Sequence, residues 1–532
     1  MTASVSSSSP LRRIGRWRSA AATGLAVSLV LAACGSSGTT KSSSAASSTT
    51  QGSSGQAATV KPTGTLQVGL SAAMNTLSPM PFGAKNFYLF NLLYSTPITL
   101  SGSTPTPAVV ENWSTAANNL SMTLHLRPGL SFSDGTPLDA SAIVWNIGWQ
   151  KLPATASHAR TLWNDVTATA LNQTTVGLAF THPMPEIFAM LAGMPIVKPN
   201  APTSGVSSGP YMVSKFVPGT SLSVTANTHY WHTGADHLES LVFTNYSEPA
   251  TAALALRSDT IGLLLLPAAT QLAGLKSAGE KFLAGPASND GYTPSLLLSL
   301  LVNTSSAPLN NVKVRQALSL AFDRSQFVAT AMAGQGIPAE SVLSSTSSAY
   351  LPSPSTASFD IAKAKALLAQ AGVSHLTLSV DAVSILPQAT FMPVYQQDLA
   401  KIGVTLNINT IDVATWATII GPGNFPQLIT QENGFVDNDP ALNFGNLDLT
   451  STNNSEHFSS PQYTAMIQAA AQETDPAKRQ ADYKAIGAYL QQQMFIIPLA
   501  TASSAAAAYS PKVSGVESAP FSGVDYTALT LG

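Results

Sequence analysis

Gly205-Val206-Ser207-Ser208-Gly209 has the Gly-x-Ser-x-Gly spacing of a nucleophile elbow, a turn that exposes an activated serine when a strand leads into it and a helix leads out. Pro199 and Pro202 precede the motif and Pro210 follows it. Those prolines suit neither element, so an enzyme is not the expected reading. His229, His232 and His237 crowd one segment, and imidazole is a common metal ligand. Their spacing fits no standard ligand set; free histidines in a polar loop are expected, with no metal and no cofactor. No Gly-x-x-x-x-Gly-Lys phosphate loop occurs, so an ATPase of that type is not expected in this chain.

Cysteine occurs once, at Cys34. Before it lie Arg12, Arg13, Arg16 and Arg18, then an apolar stretch from Ala20 to Ala33, too short to span a bilayer comfortably. This is the layout of an export signal over residues 1–33. The box Leu31-Ala32-Ala33-Cys34 resembles the processing site of bacterial lipoproteins. That resemblance implies a diacylglyceryl group on the Cys34 thiol and Cys34 as the mature N-terminus, a two-chain anchor far more durable than one chain. The plainer alternative is a soluble secreted protein with a stray cysteine. Gly35 to Pro62 is nearly all serine, glycine, threonine and alanine, a composition that buries too little apolar surface to offset chain entropy. Residues 34–62 therefore read as a lipidated cysteine and a flexible tether. With no second cysteine the chain forms no internal disulfide, although its compartment is oxidising.

Residues 1–33 carry four arginines and no acid, so the remaining 499 residues go from a formal charge of −2 to −6. Nothing in that balance suits nucleic acid. Hydrophobic residues make up 45% of the chain and charged residues only 10%, against a usual quarter. No later run of eighteen apolar residues occurs, and the length suggests two or three domains.

The elements follow from periodicity. Leu66 to Leu70, Met122 to Leu126 and Leu222 to Thr225 alternate as strands. Asp134-Gly135 predicts a tight turn, and Asp139 an N-cap for a helix that turns Ile143, Val144 and Ile147 inward. Further on, helices alternate with strands. Asp360 caps Ile361 to Ala371, and Gly372 stops it. Leu376 to Val380 is a strand, Ala389 to Ile402 a helix, and Val404 to Ile408 a strand. Asp412 starts another helical stretch. Asp475-Pro476 opens a helix to about Gln493, with proline where a missing amide costs nothing, and Phe495 to Leu499 is strand-like. A mixed first half beside a βα-alternating second half predicts an α/β protein of two lobes.

Pro107 to Trp145, containing ENWSTAANNLSMTLHLRPGLSFSDGTPLDASAIVW, resembles the signature region of the family 5 extracellular solute-binding proteins, the dipeptide, oligopeptide and nickel receptors of ABC importers. Further segments fall in the family's order: Gly209 to Trp231, Leu301 to Arg324, Phe359 to Gly372, Asp437 to Pro440 and Phe495 to Ala500. The resemblance runs from about Thr63 to the C-terminus. Departures occur at Ser208, at Asn227-Thr228, at Ser141-Ala142 and at Ser258 to Gly262. The resemblance implies a two-lobed periplasmic-binding-protein-like fold (class II, cluster C type) with mixed sheets and a hinge. Lobe I would be 63–294 with 499–532 returning to it, and lobe II 295–498. The chain would cross the hinge near Val302-Asn303-Thr304 and Ile496-Ile497-Pro498. Closure around a peptide-like solute would be read by membrane-embedded permease subunits. A monomer is the family default.

In peptide-binding relatives an aspartate of the loop aligned with Gly434 to Pro440 accepts the ligand's α-amino group, which implies that role for Asp437. The physics agrees, since an ammonium buried by closure needs a carboxylate; a plain Asx turn is the alternative. No arginine occurs between Arg324 and Arg479, so a clamp on a ligand carboxylate from this part is not expected. Longer peptides, or neutral or cationic solutes, fit better. Trp416, Phe435 and Phe444 are candidates for apolar or stacking walls, with core packing as the alternative for each. A nickel, haem or saccharide receptor of the same fold, or an exported sensor or hydrolase, remains open from the residues. Val314-Arg315-Gln316-Ala317 and Asp323-Arg324, beside Leu318, Leu320 and Phe322, are expected to tie the second lobe together rather than touch ligand.

Overall fold

Alternating strands need a partner layer, and Thr65–Leu70 finds one on each side. It lies at the centre of a seven-stranded sheet, parallel to Ser240–Asn245 and to Leu263–Leu265. The order across the sheet is Lys281–Leu283, Ala507–Tyr509, Leu263–Leu265, Thr65–Leu70, Ser240–Asn245, Ser221–Ala226, Tyr211–Val217. This is a computed structural model. It describes residues 62–532 apart from 72–73, 81–85, 102–103, 158, 233–237, 284–295, 333, 335, 344–346, 348, 352–358, 385–387, 421, 435–438, 447–448, 450–453, 503–505 and 520–522. Register sets Val68 beside Phe243 and Leu263, all fully buried. Gly69 faces the other side, where a Cβ would come 2.5 Å from Ile261; the missing side chain is what lets Ile261 close down on the sheet.

A four-stranded antiparallel sheet, in the order Val110–Thr115, Ser121–Leu126, Thr175–Phe180, Val166–Asn172, packs against helix Ala140–Gln150. Asp139 caps that helix as its sequence predicts, accepting from the Ser141 and Ala142 amides at 2.9 and 3.1 Å. Ile143 and Ile147 are buried beneath it; Val144 is only half-buried. Asp134-Gly135 makes the expected turn, with Gly135 at φ +79° and Thr136 donating to Asp134.

The second half builds a six-stranded sheet in the order Gly336–Pro338, Ile496–Ala502, Leu296–Val302, Leu428–Gly434, Leu376–Val383, Val404–Ile411. The last three are mutually parallel and are linked through helices, as the βα alternation predicts. Asp360 caps Ile361–Gln370, Asp412 caps Val413–Ile419, and Asp475 caps Pro476–Gln493. The core on one face interlocks Phe322, Phe327, Phe391 and Tyr395 at ring separations of 5.2 to 5.4 Å, tilted or edge-on, each pair worth about 0.5–1.5 kcal/mol beyond its buried area.

Arg324 is sealed beside this core. Its Nε donates to the Ala339 and Pro498 carbonyls at 2.9 Å, its Nη1 to Ser319 O and its Nη2 to Ser319 Oγ. Burial pushes its pKa down to about 10. Arg315 donates to Gln493 O and Leu309 O. Both arginines thus bind strands and helices of the second half to each other.

The segments expected as crossing points lie in or beside the six-stranded sheet. Val302 ends a strand inside the six-stranded sheet, Asn303 donates to Phe425 O and Thr304 to Glu456 O, and Ile496 to Pro498 lie within a strand of the same sheet. The chain leaves the seven-stranded sheet after Leu283 and joins the six-stranded one at Leu296; it leaves that sheet after Ala502 and rejoins the first at Ala507. Leu499 to Ala502 accordingly belong with the second half. The apolar run Leu296 to Val302 carries no internal punctuation, so its sequence does not mark where one sheet hands over to the other.

Candidate ligand site where the two sheets exchange chain

Parallel strands share one direction, so their carboxyl ends gather along one edge. In the six-stranded sheet these ends are Val383, Ile411 and Gly434. Gly434 is paired with Leu296, and Leu296 with Ala502, so the chain enters and leaves this sheet along that same edge. In the seven-stranded sheet the parallel strands end at Leu70, Asn245 and Leu265; Leu265 pairs with Ala507, and Ala507 with Leu283. Both exchanges therefore join the carboxyl-end edges of two sheets. Open α/β sheets bind ligands outside those ends.

Asp439 accepts two hydrogen bonds from Arg479, Nη1 and Nη2 each at 2.9 Å, the bidentate geometry that makes such pairs strong. Arg479 lies over Tyr483, 5.1 Å from the ring centre, and Tyr483 stacks on Phe444 at 5.6 Å. Arg479 also reaches Glu186 of the first half, 3.6 Å from its Oε2. Glu186 is fully buried just before helix Ile187–Ala192, and Leu442 joins the apolar cluster of Met184 and Ile187. Segment 439–444 thus touches both halves.

Electrostatics follow the burial. Desolvation, helped by the nearby Asp439 charge, pushes the Glu186 carboxyl up to about 7. For Arg479 burial alone would lower the pKa, but the Asp439 carboxylate outweighs it and holds the guanidinium above its ordinary value. Glu432, two residues before the strand end at Gly434, is pushed up to about 7 by burial.

Of the residues singled out from sequence, Asp437, Phe435 and Cys34 lie outside the described residues; Gly434 and Asp439 bracket the first two. Trp416 sits half-buried on the helix that Asp412 caps, packed against the cluster of Phe425 and Phe458, its Nε1–H buried without an acceptor. Phe444 is 1% exposed and stacks on Tyr483. Glu186, Asp439 and Arg479 carry no shared local signal. They are brought together from positions 186, 439 and 479 by the tertiary fold, although the two members of the ion pair flank recognisable features, the Asn-Asp-Pro turn and the Asp-Pro helix start.

The elbow motif is structural. Ser207 is fully buried; its Oγ donates to Leu93 O at 2.6 Å and accepts from the Gly209 amide, while Ser208 Oγ donates to Ile196 O and accepts from the Ser95 amide. A Cβ on Gly209 would sit 2.7 Å from the Leu93 backbone, so this turn is a packing device. His229 and His232 are exposed and His237 is outside the described residues. Among the described residues no group of three or more His, Cys, Asp or Glu is arranged to hold a metal, and no helix is long and apolar enough to cross a membrane. A cavity of about 270 Å³ lined by Tyr94, Tyr230, Trp231 and Asp525 lies in the first half. It is small for a solute site, and Trp231 is already engaged by Arg127 at 4.8 Å and His232 at 5.2 Å.

Solved structures with this architecture are two-lobed binding proteins. The periplasmic binding protein DppA from Helicobacter pylori in complex with peptide STSA matches with a TM-score of 0.75 at 20% identity, over 88% of this chain and 98% of that one. NikA from Brucella suis in complex with Fe(III)-EDTA matches at 0.76 and 20%, over 88% and 100%. The class defined by the fold is thus the two-lobed architecture of these proteins. Residues 104–464 match the family described as bacterial extracellular solute-binding proteins, family 5 middle, and the chain belongs to that family. It is 27% identical to heme-binding protein A of Haemophilus influenzae over 93% of this chain and 96% of that protein. It is 27% identical to the dipeptide-binding protein of Pseudomonas aeruginosa over 60% of each, and 25% identical to the glutathione-binding protein GsiB of Escherichia coli K12 over 80% and 85%. It is a substrate-binding component of an ABC importer, working on the extracellular or periplasmic side, and not an enzyme.

Proposed function

We propose that the protein is the lipid-anchored receptor of an ABC importer and captures a peptide-like solute by closure of two lobes. Lobe I comprises 63–294 with the return after Ala502, and lobe II the sheet and helices between. Cys34 bears the acyl anchor and residues 35–62 the tether. Asp437 accepts the ligand's ammonium, with Trp416 and Phe435 at its side; the permease and a separate ATPase complete the importer, and the receptor works as a monomer. The observation that carries this reading is the position of the Asp439–Arg479 pair. It ties segment 439–444 to the six-stranded half while Glu186 and Leu442 bring the first half onto the same segment. A free ligand carboxylate finds no unpaired arginine there, which favours peptides longer than a dipeptide, or cationic ones. Calorimetric titration with trialanine tests it: micromolar or tighter binding that Asp437→Ala weakens supports the reading, and no heat with any short peptide overturns it.

A second reading, haem, is favoured by the relative that matches 93% of this chain. Visible absorbance of natively purified protein, before and after haem addition, decides between them.

A further inference from the structure

Glu186 is an awkward group to bury. Its side chain has no solvent exposure, and neither carboxylate oxygen has a hydrogen-bond partner on another residue. The cation that reaches it, Arg479, is committed to Asp439 through two 2.9 Å bonds and comes no nearer than 3.6 Å. One positive charge thus serves a fully buried carboxylate and a half-buried one. The three residues belong to different halves: Glu186 precedes a helix packed in the core of the four-stranded sheet, whereas Asp439 and Arg479 belong to the half built on the six-stranded sheet. Any separation of the halves at this contact returns Glu186 to water.

We propose that Glu186 and Arg479 form a latch that engages only when the two halves close, and that closing draws a proton onto it. The latch rests on the lobe-closure reading above but not on the identity of the solute. Its chemistry is proton uptake by a carboxylate that loses its hydration and gains a cation already neutralised by a neighbour. With the two halves in contact, burial raises the Glu186 pKa toward 7; hydration on opening would return it toward its ordinary value. A group whose pKa is raised on closure favours closure below its open-state value and loses that effect as pH rises through its closed-state value. Closure is therefore strengthened by acid between about pH 7 and the ordinary glutamate range near 4.5. The charged and titratable groups facing Glu186 are Asp439, Arg479 and Tyr483 from the second half and His182 from its own segment; a neutral substitution at 186 separates its contribution from theirs.

The test uses the full chain with spin labels on Leu171→Cys and Lys365→Cys, exposed positions in the two halves, read as a distance distribution with and without trialanine. Expected is a rise of about tenfold in the closed-to-open ratio from pH 7.5 to 5.5, with Glu186→Gln closed at both pH values and changing less than about twofold. Should Glu186→Gln not fold, Glu186→Met takes its place; it carries no titratable group and likewise loses the pH response. Identical pH profiles in wild type and variant overturn the latch. A Glu186-dependent pH response without trialanine binding keeps the latch and removes the peptide reading; trialanine-driven closure that ignores pH and residue 186 does the reverse.

Discussion

Replacing Asp439 by Asn tests how the site is held. The side chain keeps its shape and one acceptor oxygen but turns the other into a donor aimed at the guanidinium. Arg479, 12% exposed, is then left with Glu186 at 3.6 Å. Stripping a buried charge of its partner costs about 3–5 kcal/mol, and an exposed pair about 0.2–1 kcal/mol. With Glu186 still in place, Asp439→Asn lies between, at about 2–4 kcal/mol. Urea unfolding reads this as a lower midpoint; because two halves need not unfold as one, hydrogen exchange along Pro476–Gln493 supplies the local value. Part of the Glu186 shift comes from the Asp439 charge, so the same variant moves the acid response of closure to lower pH. A loss below about 0.5 kcal/mol with an unmoved pH response would refute the view that this pair organises the segment between the halves.

Asp437→Ala is expected to weaken trialanine binding by roughly 2–5 kcal/mol, the cost of removing one member of a buried charge pair, with an unchanged unfolding midpoint; an unaltered dissociation constant takes Asp437 out of the site. Cys34→Ser is expected to abolish incorporation of labelled palmitate and release the protein from the membrane fraction. Retention of label or of membrane attachment would mean that another residue carries the anchor.

Much of the scaffold was legible because local chemistry agreed with the tertiary result. Asp139, Asp360, Asp412 and Asp475 cap helices where their sequences place them, and the period-2 runs at Leu66, Met122 and Leu222 are strands. Parallel strands ran longer than read: Leu376 continues to Val383 and Val404 to Ile411, because the polar residues Asp381 and Asn409 bond to each other across the pair instead of ending it. The hand-over points between sheets carry no sequence mark, because an uninterrupted apolar strand looks the same whichever sheet it enters. Of the candidate site, Asp437 rests on resemblance alone and lies outside the described residues. The contact of Asp439 and Arg479 with Glu186 was not legible: Glu186 has no motif around it, and only folding brings it to Arg479.

The claim that two halves close on a captured solute is tested most directly by small-angle scattering on natively purified protein, before and after bound solute is stripped by partial unfolding and refolding, with native mass spectrometry identifying what was lost. The account predicts a larger radius of gyration after stripping, reversed when the released material is returned. An identical radius in all three samples, with a solute demonstrably bound and removed, would contradict it.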